Sequence, residues 1–304
     1  MIDLHVHVHT GNKMDISRLP KYYQDTLNSK LYSSLAAAGD LIPKSTLRKA
    51  AWILGVYFKN QDLLGKITPV QKVLINGLVR TLEATPLEKL LESMDKNSIK
   101  KAVIQVVEPY MNTNYALEMK KNNPRLYVFG SVKFCRDDYA MQAEATGKKD
   151  IDGFKVHPPL QMLPPDSHKI IEAIEALPAN LPVLLDTGPF LGFSIGTDIN
   201  KLENLLKNNK HRTVILAHIG KGHYENAINL AKRYDKVCLE TSMQPAKVIR
   251  KAIDAIGPER IFLGSDFPIL GQRVAINQLQ KATNDNEFEL ISRLNAEKLL
   301  SKRK

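Results

Sequence analysis

The sequence predicts an α/β protein of the (β/α)8 (TIM) barrel class, with a mostly helical insertion after its first strand. Three observations favour this class. The chain has eight short apolar runs rich in β-forming residues, most neighbouring runs are separated by a segment with helical spacing, and the length of 304 residues exceeds the ~250 residues that one such barrel needs. Alternating strands and helices are typical of parallel strands joined by helical crossovers. We therefore expect residues 1–304 to form a single domain.

The predicted strands are spread along the chain. They are Ile2–Val8, Ala102–Val107, Leu126–Val132, Gly153–Val156, Pro182–Leu185, Thr213–Ala217, Val237–Leu239 and Arg260–Leu263. Helical segments between them include Pro86–Asn97, Asn114–Asn123, Ser167–Leu177, Asp198–Asn208, Tyr224–Tyr234 and Pro245–Ile256, and Asn286–Leu300 is predicted as the closing helix. Eight is the number of strands in a closed barrel of this kind.

More than ninety residues separate the first two predicted strands, far more than an ordinary connection between a strand and a helix. Apolar residues at helical spacing, for example in Ser45–Phe58 and Pro69–Glu83, predict a helical insertion at about residues 11–80. Because this insertion follows the first strand, we expect it to cap the C-terminal face of the barrel, where such enzymes carry their chemistry.

The composition is that of an ordinary globular protein, with 43% hydrophobic and 25% charged residues. The two cysteines, Cys135 and Cys238, form neither a disulfide framework nor a Cys/His metal pattern. No apolar run approaches the ~20 residues of a membrane span, and the first residues do not form a signal peptide. We therefore expect a cytoplasmic protein that does not associate with a membrane.

The formal net charge of +11 is concentrated near the N-terminus, where residues 10–80 contain 11 Lys and Arg against 4 Asp. Clustered positive charge attracts phosphate, but the rest of the chain is nearly balanced. We interpret the excess as a solvated basic surface, with steering of an anionic substrate as the alternative. The expected partner is a small-molecule substrate and not nucleic acid, and a homo-oligomer stays open.

The first predicted strand carries three histidines in alternation with aliphatic residues. His5, His7 and His9 would share one face of an extended strand, opposite Leu4, Val6 and Val8. Two imidazoles at positions i and i+2 can converge on one metal ion, and three buried imidazoles without a partner would be costly. The pattern predicts a metal site that uses His5 and His7, although His7 and His9 would also fit.

Polar residues follow the later predicted strands at the points where the apolar runs stop. They are Lys155 and His157, Asp186, His218, Glu240 with Thr241 and Ser242, and Ser265 with Asp266. A single residue of this kind could cap a helix. Because the strand ends of a barrel converge on one mouth, the set predicts one polar site there.

Three segments together resemble the signature strands of the amidohydrolase superfamily, and more narrowly its amidohydrolase 2 branch. They are IDLHVH at Ile2–His7, LAHIGKGH at Leu216–His223 and FLGSDFP at Phe262–Pro268. Supporting matches are MDKNSIKKAVI from Met94, GFKVHP from Gly153, PVLLDTG from Pro182 and NAEKLL from Asn295. The resemblance covers the first strand and nearly everything from Thr85 onward, but not residues 11–80.

The resemblance implies a metal-dependent hydrolase with a divalent ion, usually zinc, bound by His5, His7 and Asp266. Such an ion lowers the pKa of a bound water and makes it a nucleophile. In family members the carboxylate that matches Asp266 also transfers the proton, and the histidine that matches His218 orients or polarises the substrate. Lys155 and His157 would face the mouth and hold a substrate anion.

One position departs from the family pattern. The fifth strand usually ends in a metal-binding histidine, and this chain has Asp186 there. A carboxylate can still ligate zinc, although it favours harder ions such as manganese. We predict Asp186 as an additional ligand.

The predicted reaction is the hydrolysis of a small ester, lactone or amide. Nonoxidative decarboxylation of a small carboxylic acid uses a similar metal shell and is the alternative enzyme activity. The histidine-rich start also resembles the PHP phosphoesterases, but no second HxH motif occurs near the C-terminus. A barrel that binds a ligand without turnover is the remaining alternative, favoured by Asp186 and the basic insertion.

Overall fold

The computed structural model of the chain describes residues 1–8, 85–161, 163–188 and 198–301. The predicted insertion at 11–80 and His9 lie outside these residues, so both stay predictions. Each of the eight observed strands overlaps a predicted one. They are β1 Ile2–Val6, β2 Lys101–Gln105, β3 Leu126–Gly130, β4 Gly153–Val156, β5 Val183–Leu185, β6 Val214–Leu216, β7 Val237–Glu240 and β8 Ile261–Phe262.

The strands form one parallel sheet in sequence order, from β1 to β8. The backbone also joins the first and last strands, because Leu4 N donates to Leu263 O at 2.8 Å and Val6 pairs in parallel with Phe267. The sheet is therefore a nearly closed (β/α)8 barrel, and the predicted fold class is confirmed.

Helices lie between the strands and after the last one. They are α1 Leu87–Lys96, α2 Thr113–Asn122, α3 Tyr139–Gly147, α4 His168–Glu175, α5 Leu202–Asn208, α6 Tyr224–Arg233, α7 Ala246–Ile256, α8 Gln272–Ala282, α9 Asp285–Glu289 and α10 Asn295–Ser301. A π-helical turn, Leu290–Leu294, joins the last two helices into the predicted closing element. The helices α3 and α8 were not among those predicted.

Local sequence explains how individual helices begin and end. The Asn112 side chain accepts hydrogen bonds from two backbone N–H groups and so caps the start of α2. In α7, Val248, Ile249, Ala252 and Ile253 are buried on one face. That helix ends at Gly257, whose φ of 78° is a conformation that favours glycine.

Two buried layers hold the barrel together. One layer lies between the strands and the surrounding helices. The other fills the inside of the barrel and is formed by Ile2, Leu4, Val103, Phe129, Leu184, Ile215, Ala217, Cys238, Phe262, Ala296 and Leu300. Of the described helices, none is long and apolar enough to cross a membrane.

Candidate functional site

Side chains on the inside of the barrel change from apolar to polar toward the C-terminal ends of the strands. Residues two apart in a strand share a face, and in four strands a small or apolar interior residue is followed two positions later by a buried polar one. The pairs are Val103 and Gln105, Gly153 and Lys155, Leu184 and Asp186, and Cys238 and Glu240. The polar members form the mouth of the barrel, the predicted place for a site.

A bulge in β1 directs His5, and His7 just after the strand, toward this mouth. The register against β2 shifts between Asp3 and Val6, so that β1 accommodates one extra residue. The Nε2 atoms of His5 and His7 lie 3.2 Å apart, and the two imidazoles converge as predicted. Leu4 does not lie opposite them as the alternation predicted, because below the bulge it packs in the interior of the barrel.

Asp266 completes a group of three converging ligand atoms. Its Oδ1 lies 3.3 Å from Nε2 of His7 and 3.7 Å from Nε2 of His5. All three side chains are buried or nearly so, with His7 exposed by 12% and Asp266 by 10%. These are the three ligands that the family resemblance implied, and the structure brings them together as one candidate metal centre.

Hydrogen bonds on the far side of each imidazole leave both Nε2 atoms as acceptors. Nδ1 of His5 lies 2.9 Å from the Glu240 carboxylate, and Nδ1 of His7 lies 2.9 Å from the Gln105 carbonyl oxygen. Each Nδ1 therefore carries the proton in the neutral ring. Burial and the nearby Lys155 ammonium lower the pKa of His5 well below its usual range. With the proton on each Nδ1, the two imidazoles present their Nε2 lone pairs to one point, and Asp266 presents a carboxylate oxygen to the same point.

This arrangement fits a metal ion. Three acceptors in mutual contact repel one another unless a cation lies between them. The separations of 3.2, 3.3 and 3.7 Å are also close to the ~3.3–3.5 Å edge of a tetrahedron whose ligands lie ~2.0–2.1 Å from zinc. The residues therefore suit the divalent ion that the sequence predicted.

A second group of side chains has ligand atoms that converge. It consists of His5, His218 and Glu240 and is fully buried. The Glu240 carboxylate of this group already accepts several hydrogen bonds. Glu240 Oε2 accepts from Ser242 Oγ at 2.7 Å and from His218 N at 3.2 Å, in addition to His5, and Oε1 accepts from Ser242 N. We assign Glu240 the orienting role that carboxylates commonly have behind a metal-binding histidine. Burial raises the pKa of Glu240, and these hydrogen bonds oppose that rise.

The joint between β8 and β1 places Asp266. Its N–H donates to the His5 carbonyl oxygen at 2.8 Å, and His7 N donates to the Phe267 carbonyl oxygen at 2.6 Å. Asp266 has a φ of 59°, which is unusual for a residue other than glycine. The carboxylate is thereby fixed to the same backbone that carries both histidines.

Asp3 supports this joint from within the protein. It is fully buried and accepts hydrogen bonds from Ser265 Oγ at 2.6 Å, Gln272 Nε2 at 2.8 Å and the backbone N–H groups of His5 and Ser265. Burial raises the pKa of Asp3 to about 7, and the hydrogen bonds oppose that rise. Asp3 thereby connects the backbone of His5 to Ser265, the residue before Asp266.

Asp186 lies in a separate cluster of basic and imidazole groups beside the candidate metal centre. Its Oδ2 is 3.1 Å from Lys155 Nζ, 3.2 Å from His218 Nε2 and 3.5 Å from His157 Nε2. Its Oδ1 lies 3.8 Å from Lys221 Nζ and has no hydrogen-bond partner within the described ranges. Burial alone would raise the pKa of Asp186, but the surrounding basic groups hold it well below its usual value.

The structure thus places all predicted site residues at the mouth, but in two subgroups. His5, His7 and Asp266 converge in the first subgroup. In the second subgroup, Asp186 contacts the predicted substrate-binding residues Lys155 and His157 and the predicted catalytic residue His218. Asp186 belongs to neither group of converging ligand atoms among the described residues. Its role as a ligand stays a prediction.

The two histidines of the second subgroup are held in different ways. His157 Nδ1 accepts from Leu160 N at 3.2 Å, and burial lowers the pKa of His157 to about 3. His218 Nδ1 lies 2.6 Å from Ser242 Oγ, and the His218 carbonyl accepts from Gln244 Nε2 at 2.5 Å. His218 has a φ of 57° and begins a left-handed stretch that ends at Lys221.

Sequence reasoning missed the roles of Glu240, Gln105 and Lys221. Glu240 was noted at a strand end without a function, and its position two residues after the apolar Cys238 could have placed it inside the mouth. Gln105 follows Val103 in the same way, and its amide donates to the Leu4 carbonyl at 2.7 Å. Lys221 had no such signal, because its position depends on the left-handed backbone after His218.

Comparison with known proteins gives a family match over almost the whole chain. The family model described as Amidohydrolase matches residues 2–302. No curated protein matches the sequence at a significant level.

Three solved structures illustrate the similarity of fold. An uncharacterised TIM-barrel protein of Bordetella bronchiseptica has a TM-score of 0.65 at 15% identity, with 99% of each chain covered. The 5-carboxyvanillate decarboxylase of Sphingomonas paucimobilis has a TM-score of 0.59 at 15% identity, covering 99% of this chain and 98% of that one. A zinc-bound amidohydrolase of Burkholderia multivorans has a TM-score of 0.54 at 14% identity, covering 70% and 87%. At these identities the likeness concerns the fold alone.

Proposed function

Because the chain belongs to the amidohydrolase family, we propose that it is a metal-dependent hydrolase that cleaves a small ester, lactone or amide. The observation that carries the proposal is the convergence of His5, His7 and Asp266, with both imidazole Nε2 atoms left as acceptors by their Nδ1 partners. This donor set suits zinc, and manganese is the alternative.

When bound, the ion supplies Lewis-acid activation of water and substrate. The remaining steps are assigned to side chains of the chain itself. Asp266 accepts the proton of the attacking water and returns it to the leaving group. His218, whose ring stacks on that of His5 at 5.0 Å, orients the substrate carbonyl. Lys155 and His157 lie beside these groups and bind an anionic part of the substrate.

Decarboxylation of a small carboxylic acid is the second candidate. The specific observation in its favour is the pair of ammonium groups at the mouth, Lys155 and Lys221, both within 4 Å of Asp186. Ammonium groups at the mouth can bind a substrate carboxylate. The likeness to a decarboxylase over nearly its full length agrees with this candidate at the level of fold.

A barrel that binds a ligand without turnover is the third candidate. The sequence favoured it through Asp186, which lies in the described mouth beside Lys155, and through the basic insertion, which lies outside the described residues. The predicted catalytic residues Asp266 and His218 are both present, buried and held by hydrogen bonds from neighbouring strands. A barrel that binds a ligand without turnover is therefore only an outcome of the metal test.

The first test measures bound metal. Three purified proteins are dialysed against zinc or manganese and analysed by plasma mass spectrometry. They are the wild type, His5→Ala/His7→Ala and Asp186→Asn. We expect about one equivalent in the wild type and none in the double variant. Loss of metal from Asp186→Asn would make Asp186 a ligand. Wild-type protein that binds no metal would contradict the proposal and favour the ligand-binding barrel.

The second test separates the two reactions. The metal-loaded protein is assayed against a panel of lactones, esters and amides, and against aromatic and enoic acids with detection of released carbon dioxide. Asp266→Asn serves as the inactive control. Turnover of a lactone, ester or amide supports the hydrolase, whereas carbon dioxide release without hydrolysis would replace it with the decarboxylase.

A further inference from the structure

The Ser242 side chain bridges the Glu240 carboxylate and the His218 ring just after β7. Its Oγ lies 2.7 Å from Glu240 Oε2 and 2.6 Å from His218 Nδ1. Glu240 and Ser242 are completely buried, and His218 is exposed by only 1%. Buried polar atoms need hydrogen-bond partners, and these three side chains provide them for one another.

The donors around Glu240 determine where the protons of this group lie. The backbone N–H groups of His218 and Ser242, His5 Nδ1 and the Ser242 hydroxyl make four donors to Glu240. An ionised carboxylate has about four lone-pair sites for them. The hydroxyl has one proton, and Glu240 accepts it. Ser242 Oγ therefore presents a lone pair to His218 Nδ1, and Nδ1 carries a proton.

The same segment also holds the backbone of His218. The His218 N–H donates to Glu240 Oε2 at 3.2 Å, and its carbonyl oxygen accepts from Gln244 Nε2 at 2.5 Å. His218 has a left-handed backbone with a φ of 57°. Glu240, Ser242 and Gln244, spaced two residues apart, thus hold the N–H, the ring and the carbonyl of this one residue.

Building on the proposed function, we infer that Ser242 is a positioning residue that fixes a proton on His218 Nδ1 and so determines what Nε2 offers the substrate. Because Nδ1 carries the proton of the neutral ring, Nε2 has a lone pair or, in the imidazolium, an N–H group. Its 3.2 Å contact with Asp186 Oδ2 is a hydrogen bond only in the imidazolium. Without Ser242, a neutral ring would carry its proton on Nε2 and donate it to Asp186 instead of the substrate.

Glu240 supports two branches of the site, and Ser242 lies on only one of them. The carboxylate contacts His5 Nδ1 directly, and it reaches His218 Nδ1 through the Ser242 hydroxyl. Removal of this hydroxyl should therefore disturb His218 and leave His5, a predicted metal ligand, in place.

The test observes the two ring nitrogens of His218 by ¹⁵N nuclear magnetic resonance at neutral pH, in zinc-loaded and in metal-free protein. His218→Gln assigns the signals. We expect a protonated Nδ1 in the wild type, and in Ser242→Ala an unprotonated Nδ1 with the proton on Nε2. Ser242→Thr keeps the hydroxyl and should give the wild-type pattern. Ser292→Ala is the matched control, because it removes another buried serine hydroxyl, in the π-helical turn.

Kinetics with a substrate from the panel and titration with zinc separate the two branches. Ser242→Ala should lower kcat by about 10–100-fold and leave zinc affinity unchanged, and Ser242→Thr should recover kcat. Glu240→Gln should lose zinc affinity, because its carboxylate also holds His5. Circular dichroism checks that each variant folds. The wild-type resonances test the inference even if Ser242→Ala does not fold.

Four results would overturn the inference. They are an unprotonated Nδ1 in the wild type, a proton that stays on Nδ1 in Ser242→Ala, an unchanged kcat in that variant, and loss of its zinc affinity. Absence of bound metal from the wild type would instead contradict the proposed function. The proton positions can be measured in metal-free protein, so the two failures are distinguishable.

Discussion

The two ends of the barrel interior are built from the same strands but have opposite chemistry. At the base, Val103, Phe129, Leu184 and Cys238 belong to one apolar cluster. On or just after β2, β4, β5 and β7, the interior residues nearer the mouth are Gln105, Lys155, Asp186 and Glu240. They are equally buried, but each makes a polar contact. Two residues along a strand therefore separate an apolar layer that stabilises the fold from a polar layer that positions chemical groups.

This difference teaches that burial alone does not identify a functional residue. Apolar burial at the base stabilises the fold by about 1.5–3 kcal/mol for a large side chain. Burial of a charge at the mouth is unfavourable unless a partner compensates it. Variants at the base should therefore affect stability and leave the metal bound, and variants at the mouth should do the reverse.

The largest expected effect is at the mouth. Asp266→Asn removes the charged ligand and the proposed proton acceptor while the side chain keeps its size. We expect metal affinity to fall by more than the ~10–100-fold typical of groups behind the ligands, and turnover by about 10²–10⁴-fold. Isothermal titration with zinc and a kinetic assay measure the two quantities. Unchanged metal affinity would remove Asp266 from the predicted ligand set.

The second effect is at the base. The Phe129 ring fills the space above Gly153, where an added Cβ would lie 2.5 Å from the ring. Phe129→Ala should lower the free energy of unfolding by about 3–5 kcal/mol, because it leaves a cavity that neighbouring strands cannot close. Denaturant unfolding measures this loss, and Phe129→Leu is the milder control. Metal stoichiometry should stay at the wild-type value in both variants, and its loss would show that base and mouth are not independent.

Much of this contrast was predictable from sequence. Short apolar runs rich in β-forming residues located all eight strands. The alternation at the first strand indicated His5 and His7 as a pair, with His7 and His9 as the alternative, and the structure brings His5 and His7 Nε2 to 3.2 Å. The position of Asp266 followed from its place after the last strand. These features depend on the local period of a strand, which the order of residues specifies.

Other features depend on tertiary contacts that no local pattern encodes. The bulge that places Leu4 in the interior arises from the pairing of β1 with β2. The contact between Glu240 and His5 joins residues 235 positions apart. Asp186 was predicted as a ligand from the family pattern, but its nearest charged neighbour is Lys155, whose distance depends on the pairing of β4 with β5.

The third prediction compares the base and the mouth within one strand, β7. Glu240→Gln removes the carboxylate that holds Nδ1 of His5, and we expect metal affinity to fall by about 10–100-fold. Cys238→Ala is the matched control, since Cys238 lies two residues earlier on the same interior face. It should lower stability modestly and leave metal affinity unchanged. Equal metal affinity in Glu240→Gln and wild type would show that His5 does not need this carboxylate for its orientation.

The last effect is on the pH dependence of stability in the metal-free protein. Burial lowers the pKa of His157 to about 3, whereas in the unfolded chain it lies near ~6.5. Below pH ~6.5 the His157 side chain binds a proton in the unfolded chain but not in the native state. The contribution of His157 is therefore complete above pH ~6.5 and declines by about 1.4 kcal/mol per pH unit as the pH falls toward 3.

His157→Gln should flatten this decline without abolishing it, because burial also lowers the pKa of His5. Urea unfolding of both proteins between pH 7.5 and about 4.5 avoids most carboxylate titration in the unfolded chain. Parallel curves for wild type and variant would mean that His157 accepts a proton in the native state. In that case the mouth would tolerate an additional positive charge near Lys155, and the contrast with the base would be weaker than the buried geometry indicates.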